Sequence, residues 1–331
     1  MTRVLHIDTS TEWRGGQRQL ELLLRARPDD AWAGVPDGAL AERIGPPTLA
    51  LKTGNHPLNV LLLSRSKDWV FTAAHTPHSA LVSLLAGQRT LIHRRVDFRP
   101  SAWKYRRAEH VIAVSTAVAE IMLAVGVDAG RLDVVPDGVL PVLGAAEPRW
   151  LAMPGPRFGC VGALVAHKGH RFAIDAMTRL PGTLIIAGDG PLRATLVAQV
   201  RALGLTGRVH LVGQLEDVAG LLAAIDIFIH PSLEEGMGQS VIEAMSAGCR
   251  VVATSAGGIP EVLGETGLLV APGSVDALVV GVQASLSASS SGIVGAVVER
   301  AAMFSAQRMT EATSAVYARV AARITDLSHQ T

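Results

Sequence analysis

Cysteine is scarce: the 331 residues hold two, Cys160 and Cys249, far apart and each inside an apolar, strand-like run. A disulfide framework is thereby excluded, and two buried thiols in a reducing compartment are expected. No spacing of Cys or His suits a metal ion, so no metal site is expected. Aromatic residues make up 4% of the chain against 49% hydrophobic residues, so the cores must be aliphatic. Neither charge sign dominates, and a formal net charge of +1 removes any global argument for binding nucleic acid. A long apolar run is missing too. The longest weakly charged segment, Ala277 to Val298, carries five serines and reads as two Ala/Val helices with a polar break. The first residues, Met-Thr-Arg-Val-Leu-His-Ile-Asp, read as a strand without the charged-then-apolar order of a signal peptide, so a cytoplasmic location is expected.

Several catalytic signatures are also missing. There is no Gly-x4-Gly-Lys-Ser/Thr loop and no Gly-x-Ser-x-Gly elbow, which counts against P-loop phosphotransfer and serine hydrolysis. Ile185 to Arg193 contains Gly-Asp-Gly but lacks the third glycine of a dinucleotide fingerprint; it reads as a tight turn with a helix start at Pro191. No two aspartates lie two positions apart, so diphosphate binding through a metal bridged by such a pair is not expected. No cofactor is expected.

Length argues for two domains. Val4–Asp8 begins a series of short apolar runs, continued at Trp32–Val35, Pro47–Leu51, Trp69–Ala74, Arg89–His93, His110–Val114 and Leu132–Val135, with helical stretches such as Ser79–Ala86 and Thr116–Val125 between them. From Leu140 to Pro154 the pattern dissolves into Pro, Gly and Ala around Trp150, which reads as a linker. A second series follows at Phe158–Leu164, Gly182–Ala187, Arg208–Val212, Ile225–Ile229, Cys249–Thr254 and Leu268–Val270, with helices between. Strand and helix alternating at this spacing predict an α/β protein of two Rossmann-like, doubly wound domains, 1–145 and 146–331, facing across a cleft. A final helix over about 306–325 is expected to pack back on the first domain.

Ligands of such sheets sit beyond the carboxyl ends of the strands. The polar residues there are His75 and His78, then His93-Arg94-Arg95, then Ser115, then Pro136-Asp-Gly138. Gly15-Gly16 follows the first strand, where close approach to a ligand competes with a plain turn. In the second half, Val161 to His170 is a strand end and loop bearing Lys168 ahead of a helix, well placed to neutralise a diphosphate. Chemistry concentrates in His230 to Gly248, which reads as a strand end in the apolar run Leu221 to Ile229, a glycine loop holding Glu235, and a helix start holding Glu243 in its first turn. Ser240-Val-Ile-Glu243 also fits a capping box, a structural alternative for Glu243. Between His93 and Arg107, Arg94, Arg95, Arg99, Lys104, Arg106 and Arg107 face one acid, Asp97, with Trp103 and Tyr105 interleaved. That is either a solvated face or a contact for anionic lipid or phosphate.

These elements resemble a known family. Val161-Gly-Ala-Leu with Lys168-Gly169, Ala187-Gly-Asp-Gly-Pro-Leu, Leu211-Val-Gly, Pro231 to Gly238 through Glu243-Ala-Met-Ser-Ala-Gly, Ala256 to Glu261 and Thr266 to Gly273 look like the second half of retaining GT-B glycosyltransferases of family 4, the glycosyl transferases group 1 type. The first half is similar more loosely, through Gly15-Gly16, Val111 to Ser115 and Val134 to Val139. The resemblance implies a metal-independent transfer of a sugar from a nucleoside-diphosphate-sugar co-substrate to a hydroxyl of a glycan or lipid-linked acceptor, in cell-envelope glycan, glycolipid or polysaccharide synthesis. It implies that Glu243 holds the ribose, that Glu235 faces the sugar, and that Lys168 contacts the diphosphate with Gly162 and the amides of Gly238, Gln239 and Ser240. Gly16 would approach from the other domain. His93 would stand near the donor sugar, with His75 its competitor. Many members carry an arginine where Ala163 stands here, so either another cation, Arg94 or Arg95 of the first domain, substitutes for it or diphosphate binding is weaker. Peripheral contact with the inner face of the membrane is expected. Two rivals remain open: a nucleotide-sugar epimerase on the same scaffold and a degenerate nucleotide-sugar-binding protein.

Overall fold

The computed structural model describes residues 3–66, 68–288 and 293–329. Among these, thirteen strands form two all-parallel sheets. The first holds β1 (Val4–Asp8), β2 (Ala31–Gly34), β3 (Leu49–Ala50), β4 (Phe71–Ala74), β5 (Thr90–Arg94), β6 (His110–Ala113) and β7 (Leu132–Val134), in the order β3-β2-β1-β4-β5-β6-β7. The second holds β8 (Arg157–Val161), β9 (Thr183–Ala187), β10 (Val209–Gly213), β11 (Ile227–His230), β12 (Arg250–Thr254) and β13 (Leu268–Val270), in the order β10-β9-β8-β11-β12-β13. Strand order reverses at β1/β4 in one sheet and at β8/β11 in the other, which makes each a doubly wound unit with a switch point. Among the described residues, no helix is long and apolar enough to cross a membrane.

The two units are Met1–Gly138 with Ala306–Thr331, and Val139–Ser305. The division therefore runs at 138/139 and not at the expected 145/146. The segment read as a linker belongs to the second unit. It carries the helix Pro148–Leu151 with Trp150 buried, its Glu147 amide donates to the Gly220 carbonyl, and the Val142 amide donates to the Ser246 hydroxyl. The apolar run Leu221 to Ile229 begins within the short helix Ala219–Leu222 and ends in β11, which starts at Ile227, two residues after the expected Ile225. The Ala277–Val298 segment contains parts of the helices Val275–Ser287 and Ile293–Ala302, and its expected polar break falls on residues 289–292, outside the described residues.

Parallel strands covered on both faces are expected to be apolar on both, and β1, β4, β5 and β6 are largely so, apart from buried polar residues such as His6, Thr72, His93 and His110. Val4, Ala73, Leu91 and Ile112 pack with Met309, Val316, Tyr317, Val320 and Ile324 of the helix Ala306–His329; Ile92, Val111 and Ala74 pack on the opposite side with Ala80, Tyr105 and Met122.

The face under the last helix also carries a polar chain. Arg95 donates from Nη1 to Nδ1 of His75 at 3.2 Å, His75 Nε2 meets His6 Nδ1 at 2.9 Å, and His6 Nε2 meets Asp30 Oδ2 at 3.1 Å. A guanidinium only donates, so every tautomer in the chain is determined: His75 and His6 each accept on Nδ1 and donate from Nε2. Arg95 Nη2 reaches His93 Nδ1 at 3.5 Å, which leaves His93 Nε2 to donate to the Tyr317 hydroxyl at 2.7 Å. The rings of His75 and His93 stack with centroids 4.4 Å apart.

Burial pushes all three histidines below their ordinary 6.5, aided for His75 and His93 by the charge of Arg95; for His6, burial outweighs the Asp30 bond. Because the folded values lie below the unfolded one, the unfolded chain takes up protons first on acidification. The stability these neutral rings contribute is thus complete above pH 6.5 and falls below it, by about 1.4 kcal/mol per pH unit for each ring at the limit. Denaturant titrations between about pH 7 and pH 5 should show this decline. A His75→Asn variant should decline less steeply, and an unchanged slope would count against the neutral chain.

Candidate functional site

In the second unit the two central strands at the order reversal, β8 and β11, are hydrogen-bonded neighbours, so their carboxyl-end loops emerge side by side. The loop after β8 makes a single turn at Ala166–Lys168 and then passes Gly169, which lies in the left-handed region at φ 65°. A Cβ on Gly169 would stand 2.0 Å from the Pro231 carbonyl oxygen, so only glycine lets the two loops close on each other. The Leu233 amide completes the seam by donating to the His167 carbonyl at 2.7 Å.

This closure brings Lys168 and Glu235 together. Lys168 Nζ lies 2.5 Å from Glu235 Oε2, with side chains 22% and 11% exposed, so both are reachable by a ligand but largely withdrawn from water. His230, the last residue of β11, reaches the same Oε2 with Nε2 at 2.9 Å, and the Ser232 hydroxyl stands 3.4 Å from it. Burial pushes the Glu235 carboxyl up, but the Lys168 charge and then the His230 hydrogen bond outweigh it and hold the group well below the usual carboxylate range. Glu235 is therefore an anion held among donors, and Lys168 a cation whose charge another anion could take over.

The helix Gln239–Ser246 starts differently from the capping-box expectation. Its cap is Gly238, at φ 92°, and no side chain caps it; Ser240 is the second helical residue. A Cβ on Gly238 would lie 2.3 Å from Ile259 Cδ1, so this position requires glycine both sterically and conformationally. The cap shift places Glu243 fifth in the helix, past the first turn, where it is 6% exposed. Gln239 and Ser240 are half-buried at the helix start, whose first amides have no carbonyl of their own helix to bond. Gly162 follows β8, where its carbonyl oxygen lies 1.9 Å from the position a Cβ on Gly188 would take, so the loop after β9 packs against it. His170 Nε2 bonds the Ala163 carbonyl at 3.3 Å, and burial lowers its pKa to about 4.

In the first unit, His75 directly follows β4, His93 lies within β5, and Arg95 directly follows β5; the chain of hydrogen bonds brings all three together. Arg95 also pairs with Asp137 at 2.9 Å, so the Pro136-Asp-Gly138 loop enters the cluster. Arg94 does not. Side chains alternate along a strand, so Arg94 points to the opposite face, is 2% exposed, and donates to the Tyr105 hydroxyl and the Phe98 carbonyl. The expectation that Arg94 supplies a cation to a ligand is overturned. His93 has both ring nitrogens engaged, by Arg95 and Tyr317. His78 packs edge-on against His56, and Ser115 caps the helix Thr116–Ala124. A Cβ on Gly16 would meet nothing within 4 Å, so the packing around it leaves open space there.

Asp137 stands in the Pro136-Asp-Gly138 loop marked in the sequence, whereas His230, Ser232, His6, Asp30 and Tyr317 were not singled out there as site residues. His230 and Ser232 had a usable signal, since they flank Pro231 at a strand end beside the glutamate loop. Tyr317 had none, lying 224 residues from His93.

Two family models match the chain: "Glycosyl transferases group 1" over residues 155–288 and "Glycosyltransferase Family 4" over residues 54–141. Among curated proteins, 2-deoxystreptamine glucosyltransferase of Streptomyces kanamyceticus is 34% identical over 193 residues, 52% of this chain and 50% of the relative. 2-Deoxystreptamine N-acetyl-D-glucosaminyltransferase of Streptomyces fradiae is 33% identical over 207 residues, 56% of this chain and 49% of the relative. The chain thus matches about half the length of these relatives. Among solved structures, Anabaena HepE in complex with UDP and glucose superimposes with a TM-score of 0.84 at 22% identity, over 96% of this chain and 100% of HepE, a likeness that carries the GT-B fold. With both family models falling on the two doubly wound units described above, the chain belongs to glycosyltransferase family 4, of the glycosyl transferases group 1 type.

Proposed function

We propose that the protein is a retaining, metal-independent glycosyltransferase that moves a sugar from a nucleoside-diphosphate-sugar to a hydroxyl of a glycan or lipid-linked acceptor. The carrying observation is the Lys168–Glu235 pair at the β8/β11 switch point, next to the helix start at Gly238. A diphosphate laid over that helix start takes the Lys168 charge, which then meets the negative charge developing as the diphosphate departs. Glu235 faces the sugar, where a carboxylate orients hydroxyls and steadies positive character at the anomeric carbon. Glu243 takes the ribose hydroxyls. Same-face attack through an oxocarbenium-like state asks the protein for orientation and charge more than for covalent chemistry. His93 enters as the residue that fixes Arg95, since both its ring nitrogens are engaged; Arg95 and His75 are the acceptor-side candidates. HepE was solved with UDP and glucose, so a uridine nucleotide is the first donor to test, and the names of the two Streptomyces relatives make 2-deoxystreptamine an acceptor to try beside glycans.

Lys168→Ala and Glu235→Gln should each lower kcat/KM with the true donor about a hundredfold, and full activity in both would end the assignment. A thermal-shift screen of UDP-, GDP-, ADP- and CMP-sugars should find a stabilising nucleotide whose affinity drops roughly tenfold or more in Glu243→Ala, the loss of hydrogen bonds to a charged acceptor. Conversion of the donor without acceptor would favour the epimerase reading, and binding without transfer or hydrolysis the degenerate one.

Peripheral docking on the inner face of the membrane is part of the same proposal. Phe98 and Trp103 are 52% and 38% exposed beside exposed Arg99 and Arg107, and the Arg107 guanidinium lies 5.7 Å over the Trp103 ring. Arg94 is buried, while exposed Arg106 bonds the Val125 carbonyl and Lys104 the Pro77 carbonyl, so Arg99 and Arg107 are the exposed cations to reverse. Charge reversal at Arg99 and Arg107 should abolish flotation with anionic vesicles while leaving neutral vesicles unaffected; undiminished flotation would sink the docking reading.

A further inference from the structure

Resting on the reading of Glu235 as the group that faces the sugar, we propose that His230 is a positioning residue of the transfer. It holds the Glu235 carboxylate by the same oxygen that Lys168 occupies, so that Lys168 can turn to a diphosphate without Glu235 turning with it.

Glu235 Oε2 receives Lys168 Nζ at 2.5 Å and His230 Nε2 at 2.9 Å, with Ser232 Oγ at 3.4 Å. A carboxylate only accepts, so His230 carries its ring proton on Nε2, the atom that also lies 3.0 Å from Ser232 Oγ. The donors differ in stiffness. Lys168 ends a flexible four-carbon stem and offers three hydrogens to any anion that arrives. His230 is locked. It sits in the ladder opposite Ala253, its ring stacks on Phe228 with centroids 6.3 Å apart, and its carbonyl and that of Ser232 both accept from the Thr254 hydroxyl. When a diphosphate draws the Lys168 charge away, a mostly buried carboxylate beside a second anion would swing aside or take up a proton unless another donor kept its place. His230 is that donor, joined by the Ser232 hydroxyl, which donates to the same carboxylate oxygen. The other titratable side chain behind it, His170 on the helix His170–Ala176, is kept neutral by burial and leaves His230 as the hydrogen-bonding imidazole at Glu235.

The test compares His230→Phe, which keeps the ring on Phe228 and removes the N–H, with His230→Gln, which restores an amide N–H, reading kcat, donor KM and the acid limb of the pH profile. His230→Phe should lose roughly tenfold to a hundredfold in kcat, keep its donor KM, and show an acid limb moved to higher pH, because Glu235 loses a donor that favours its charged form. His230→Gln should recover most of the rate and return the limb. Wild-type kcat in His230→Phe, or equal loss in both variants with an unmoved limb, overturns the proposal. Should both His230 variants fail to fold, Ser232→Ala decides. A fall in kcat with the limb moved the same way supports the proposal, and no change overturns it. If Glu235→Gln itself keeps full activity, the parent reading fails; if Glu235→Gln is inactive and His230→Phe is unimpaired, only this inference fails.

Discussion

The second unit depends on one electrostatic constraint: a carboxylate and an ammonium, both largely withdrawn from water, that must find each other. Breaking such a pair leaves a desolvated charge without a partner, so the backbone that unites them is under strong demand. The demand is met by topology. β8 and β11 are adjacent because strand order reverses there, and their loops are locked by Gly169 against Pro231 and by the Leu233 amide on His167. The same reversal that opens space beyond the sheet also determines which two loops line it.

The first unit solves a different problem with the same geometry. Three buried imidazoles on or just after adjacent strands are tolerable only if each nitrogen has a partner of the right kind. Arg95, which can only donate, sets the direction of the whole chain to Asp30, and Tyr317 closes the other branch. The last helix is therefore held to the sheet by a directed hydrogen bond as well as by Val316, Val320 and Ile324. The alternation that separates Arg94 from Arg95 assigns one arginine to packing around Tyr105 and the other to the polar cluster.

Much of this was legible in the chain. The period and spacing of apolar runs located thirteen strands within a few residues, and the turn at Gly238 with the apolar helix behind it marked where the glutamates stand. Errors came where one local pattern admitted two geometries. Ser240 and Glu243 matched a capping box by spacing, but Gly238 in the left-handed region takes the cap, because a backbone free of Cβ fits against Ile259 and a serine cap does not. The proline- and glycine-rich stretch around Trp150 looked like a linker because its burial comes from contacts distant in sequence, with Gly220 and Ser246.

The sequence by itself determined the alternating α/β architecture, the aliphatic cores and the identity of the charged residues at strand ends, since periodicity and composition are local properties. Tertiary structure decided which of those residues meet. Lys168 and Glu235 lie 67 positions apart and His93 and Tyr317 224, distances across which no spacing rule operates. Pairing at that range follows from strand order, and strand order is settled only when each sheet buries its faces within its own unit.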